Sequence, residues 1–145
     1  MKRITIGLVL LASIMLLLNA AAYAEPNMKE GTWEVKGEMK LEGMPFPMPP
    51  FPVNYSQCLT KKDLVPQQKE KNKDCKTINQ KIAGNTVTWT AKCTDKNGAI
   101  TDQKGSITYK GNSFESKIRS VTTDAHGAKT ESLITMAGKR TGDCK

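Results

Sequence analysis

The chain has 145 residues and a formal net charge of +8, with 22 basic and 14 acidic side chains and one histidine. That length suits a single domain with a modest core. One histidine, and four cysteines with no Cys-x-x-Cys, argue against a thiol oxidoreductase, a zinc site or histidine-based catalysis.

The first segment reads as an address. Lys2 and Arg3 precede an apolar run from Ile4 to Leu18, and Ala22-Tyr23-Ala24 gives the small-x-small pattern of a cleavage site. The run falls short of the ~20 residues of a spanning helix. Residues 1–24 are expected to be a cleaved signal peptide, and residues 25–145 one periplasmic domain without a transmembrane segment. Without Lys2 and Arg3, the 22 basic residues fall to 20 against 14 acidic, a net +6. The basic residues are densest from Lys61 to Lys81. A solvated surface explains them, and an anionic envelope surface is the alternative partner. Nucleic acid is a poor match, since no aromatic platform interleaves them.

From Thr32 to Leu41 the pattern has a period of two, which predicts a half-buried strand with Trp33, Val35, Met39 and Leu41 inward. The segment from Gly43 to Pro52 then holds five of the seven prolines, two phenylalanines and two methionines. Such proline density excludes a central strand. The segment is expected either to fold over the open end of the sheet as a plug or to stay out as a binding surface of Met44, Phe46, Met48 and Phe51. Trp33 and Trp89 would back that surface if the interior is hollow. Met39, Met44 and Met48 are a weaker option for Cu(I), which thioethers suit. A short helix is expected near Thr60 to Val65, with Thr60 as its cap.

Further strands are predicted around Lys76 to Ala83, over Thr86 to Thr94 with Val87, Trp89, Ala91 and Cys93 inward, and over Ala99 to Lys110 with Ile107 and Tyr109 inward. Phe114, Ser116, Ile118 and Ser120 share one face of the next. Thr130 to Ala137 makes the last, and Gly138 opens a basic tail. Gly84-Asn85, Asn97-Gly98, Gly111-Asn112 and His126-Gly127 mark the turns. The fold class is therefore all-β: an antiparallel meander of six or seven strands forming a curved sheet or open barrel.

Cys58, Cys75, Cys93 and Cys144 form two disulfides in an exported domain of this size. Three connectivities exist, and Cys58–Cys75 with Cys93–Cys144 is the expected one, clipping the lysine-rich loop and tying down the tail. His126 lies in a turn and reads as structural. No nucleophile motif, phosphate loop or carboxylate pair is present, so no catalytic residue and no cofactor is assigned and an enzyme is not expected.

Gly31-Thr32-Trp33-Glu34-Val35, Cys58-Leu59-Thr60, Val87-Thr88-Trp89-Thr90-Ala91-Lys92-Cys93 and Gly138-Lys139-Arg140-Thr141-Gly142-Asp143-Cys144 together resemble an exported bacterial family, domain of unknown function family 3617. The resemblance implies a periplasmic setting and a four-cysteine framework, and no activity. The expected function is a non-catalytic binding or interaction module for an apolar ligand or envelope protein. The alternatives are a charge-held envelope protein with a structural or stress role, and a methionine-based copper protein.

Overall fold

In the computed structural model, residues 25–66 and 72–144 are described. The expected signal peptide and residues 67–71 of the lysine-rich zone lie outside them. Seven strands follow one another: β1 (Gly31–Glu42), β2 (Phe51–Leu59), β3 (Lys73–Ala83), β4 (Thr86–Asp95), β5 (Ile100–Tyr109), β6 (Ser113–Thr123) and β7 (Lys129–Gly142). They form one sheet in the order β2-β1-β7-β6-β5-β4-β3, and every neighbouring pair is antiparallel. The expected all-β meander is what the chain builds, with β1 returning to lie beside β7.

The turns fall at the four expected places. Two of them share one chemistry. Asp95 Oδ1 accepts from the amides of Asn97 and Ala99 at 2.8 and 2.9 Å, and Asp124 Oδ1 accepts from those of His126 and Ala128 at the same distances. A carboxylate thus stands in for backbone acceptors, and Gly98 and Gly127 supply the positive φ that follows.

Partners across the ladders share a face, so the register sorts the side chains. At one end of the sheet Trp33, Tyr109 and Phe114 form a cluster with ring centroids 5.5 to 6.0 Å apart. Leu59, Leu64, Val65 and Met28 close over it, and the Tyr109 hydroxyl donates to the Leu64 carbonyl at 2.7 Å. This is the closed end. Two glycines make room on the inner face. A Cβ on Gly138 would lie 2.1 Å from Phe114, and one on Gly105 would lie 2.2 Å from Trp89. The large rings lie across the strands that carry these glycines, which lets the sheet bend around them.

Four expectations are corrected. First, no helix forms near Thr60 among the described residues: Asp63 N bonds Thr60 O and Lys62 N bonds Thr60 Oγ1, a single turn. The chain must drop at once to bury Leu64 and Val65. Second, Gly138 does not open a tail. It pairs with Val35 and Phe114, and β7 runs on to Gly142. Third, the Met/Pro/Phe segment does not plug the core. Phe46 is 74% exposed, and every residue from Gly43 to Phe51 is exposed at the end of β1 remote from Leu59, Leu64 and Val65.

Fourth, the disulfides are Cys58–Cys144 and Cys75–Cys93. The β3–β4 hairpin sets Cys75 directly opposite Cys93. Thr32 of β1 pairs with Cys58 on one side and Gly142 on the other, which carries Cys58 to the C-terminal segment. The two loops of 86 and 18 residues contribute about 4.5 and about 3 kcal/mol on the chain-entropy account.

Gly138→Ala should cost about 1–3 kcal/mol by overpacking against Phe114. Gly142→Ala, whose Cβ meets open space, should stay within about 0.5 kcal/mol. Urea midpoints of the two variants at unchanged m-value measure the difference.

Candidate binding site

The inner face changes character toward the other end of the sheet. Beyond the aromatic cluster come Val53, Gly37, Met136, Ser116, Ile107, Val87 and Ile82, each opposite the next. The next level is Phe51, Met39, Ile134, Ile118, Gly105, Trp89 and Gln80. After it come Leu41, Ser132, Ser120, Gln103, Ala91 and Thr77, and then Thr130, Thr122, Thr101, Cys93 and Cys75. Across these four levels no inward position carries a charge.

A cavity of about 440 Å³ lies at the Ala91 level, lined by residues of β1, β3, β4, β5, β6 and β7. Six flat strands would spread over roughly 24 Å, much wider than a cavity of this volume. The sheet therefore wraps around it, and the cavity occupies the concave side. Ala91, Gln103, Ser120 and Ser132 give it inward side chains, with Ile78 of β3 at the edge and Glu42 where β1 ends, and Asp102, Lys104, Arg119 and Glu131 on the neighbouring strand positions also border it. The Ser120 and Ser132 hydroxyls are 2.6 Å apart, and those of Thr101 and Thr122 are 2.9 Å apart one level out. Much of the polar ring is thus hydrogen-bonded internally, which lowers the cost of presenting it to an apolar guest.

Ile78 sits at a bulge, where the β3 register slips between Thr77 and Asn79. The extra residue turns it to the cavity edge, and it remains 65% exposed. Ser116 is the exception to internal pairing. Its Oγ is buried and has no hydrogen-bond partner among the described residues.

A second, larger opening of about 790 Å³ separates the edge strands, between Tyr55 and Gln57 of β2 and Thr77 and Gln80 of β3. Strands alternate in direction across the sheet, so its two edges run the same way, and the curved sheet stays open there. Burial pushes the Tyr55 phenol up to about 12, and burial followed by the Tyr55 charge raises Tyr109 well above its ordinary value.

The sequence-predicted site residues separate into two groups. Met44, Phe46 and Met48 lie on the loop between β1 and β2, exposed, and Phe51 begins β2, partly exposed. Trp33 and Trp89 are buried in the core and present no ring to a ligand. Met39 lies on the inner face of β1 at the Trp89 level, half-buried, and Met44 and Met48 lie on the loop. His126 is exposed in its turn. Of the basic zone, Lys61 is ion-paired with Glu25 at 2.6 Å near the closed end, while Lys73, Lys76 and Lys81 are spread along β3.

Sequence reasoning missed Gln103 and Ser132, and placed Ser120 on an inner face without a role. Small polar residues at core-facing positions were the available signal, since a filled core would hold larger apolar ones.

The fold and cavity define a small, disulfide-bonded, open β-barrel domain with one filled and one hollow end. The chain belongs to the family described as Protein of unknown function (DUF3617), whose model matches residues 28–144. No curated protein and no solved structure matches it.

Ser116→Ala removes an unpaired buried hydroxyl and should be neutral or stabilising by up to about 1 kcal/mol, read from urea unfolding. The raised phenols give a second expectation. The neutral phenol is favoured in the folded state, so stability should hold below pH 10 and fall as pH rises through about 12. Tyr55→Phe should flatten that fall in a pH series of unfolding midpoints.

Proposed function

We propose that this is a non-catalytic binding domain that works outside the cytoplasm and takes an uncharged, largely apolar small molecule into the cavity at its open end. The cavity carries this reading: about 440 Å³, partly open to solvent and bordered by residues of six strands, a size within the range of small-molecule pockets. Its inward side chains, Ala91, Gln103, Ser120 and Ser132, are uncharged, and of the charged residues in the lining Glu42 and Arg119 already pair with each other at 2.7 Å, which favours an uncharged guest over an ionic one. Gln103 and the hydroxyl ring offer hydrogen bonds to one polar group of the ligand, and the loop with the exposed Met44, Phe46 and Met48 leaves β1 just beyond Glu42 of the lining. Two disulfides suit an oxidising compartment, in line with the leader-like first 24 residues.

Titration with the uncharged fluorescent probe N-phenylnaphthylamine tests the reading. Saturable uptake at one probe per chain is expected. Ala91→Leu, which adds bulk at a buried position beside the cavity, should weaken uptake at least tenfold while unfolding stays cooperative, at a midpoint lowered by no more than overpacking of about 1–3 kcal/mol allows. Absence of saturable uptake by the unaltered protein would remove the proposal.

A further inference from the structure

The loop between β1 and β2 has a chemistry of its own. From Gly43 to Val53 no side chain is charged, and none is a strong hydrogen-bond donor or acceptor. Phe46 is 74% exposed, and Met44 and Met48 are each 44% exposed. Pro45, Pro47, Pro49, Pro50 and Pro52 carry no N–H. Half of the residues from Gly43 to Pro52 therefore bring no backbone donor that would need a partner in an apolar phase, where each unpaired group is expensive.

This composition selects among partners. A protein interface carries about one hydrogen bond per 100–200 Å², and this segment offers only carbonyls and the few remaining amides. Hydrocarbon asks for no hydrogen bonds. The loop also has a defined position: it leaves β1 at Glu42, which lines the cavity. A surface that received the loop would face the cavity mouth.

We propose that the Gly43–Pro50 loop inserts Phe46 and its flanking methionines into the interfacial region of a lipid bilayer, setting the cavity mouth against the membrane. The proposal rests on the loop being part of the working surface described above, and does not depend on what the cavity holds. Insertion is carried by apolar area, with the net positive charge adding attraction to anionic lipid.

The test is flotation of the disulfide-bonded protein with two kinds of vesicle, phosphatidylcholine alone and phosphatidylethanolamine with a quarter phosphatidylglycerol. Flotation with both is expected, more strongly with the anionic mixture. Phe46→Ser combined with Met48→Ser should lower partitioning about tenfold or more, with an unchanged unfolding midpoint because both side chains face solvent. Phe46→Trp should shift its emission to the blue on vesicle addition, and Trp33 and Trp89, already buried, leave that signal readable.

Failure to float with either composition, together with a Phe46→Trp emission unmoved by vesicles, would overturn the proposal. So would flotation that survives the double substitution and disappears in high salt, since charge alone would then hold the protein. N-phenylnaphthylamine uptake separates the two readings. Uptake without flotation defeats the membrane proposal and leaves the cavity reading standing. Flotation without uptake does the reverse.

Discussion

The contact between Phe114 and Gly138 is the constraint on which the rest of the molecule depends. Phe114 can lie across β7 only because no Cβ stands beneath it, and from there it meets Trp33 and Tyr109. Trp89 lies over Gly105 in the same way. Pairing a large ring with a missing side chain on the neighbouring strand draws the strands inward at that level. It also fills one end so fully that the other can remain hollow without loss of a core.

The two ends then divide the work. Near the closed end, Arg140 Nε donates to the Glu30 carbonyl, Thr32 Oγ1 donates to the Asp143 carbonyl, and the Cys58–Cys144 bridge joins β2 to the last residues. The motifs that carry the family resemblance, from Gly31-Thr32-Trp33 to Gly142-Asp143-Cys144, are chiefly parts of this frame. They hold the scaffold, and of them only Thr90 and Ala91 line the cavity at the Ala91 level. A family defined by such motifs shares an architecture, and its ligand need not be legible in them.

Much of the fold was legible because alternation records which side of a strand is buried. Val87, Trp89, Ala91 and Cys93 are all buried, as are Ile107, Tyr109 and Phe114. β2 was passed over because its prolines mask a short alternating run of Val53, Tyr55, Gln57 and Leu59. As an edge strand it tolerates Pro52 near its start. β3 was only partly visible, since none of its residues is buried. The disulfide pairing turned on a local register: the Gly84-Asn85 hairpin sets Cys75 opposite Cys93, which leaves Cys58 for Cys144, while the nearness of those two follows from β1 standing between β2 and β7, a long-range order that periodicity does not encode. The cavity was hidden similarly, since Ala91, Gln103, Ser120 and Ser132 come from four strands and meet only through register.

The arrangement of the bridges has a consequence in time. A chain made from its N-terminus presents Cys58, then Cys75, then Cys93, and Cys144 last. The local bridge, Cys75 to Cys93, spans 18 residues and sits within one hairpin, while Cys58 waits for a partner 86 residues downstream. An oxidant acting on thiols in order of arrival would join Cys58 to Cys75, and that one wrong bond leaves Cys93 and Cys144 to form a second. Reaching the native pairs then requires thiol–disulfide exchange, which is slow beside strand formation. Maturation by that route would depend on a capacity to reshuffle disulfides, as well as on a capacity to form them.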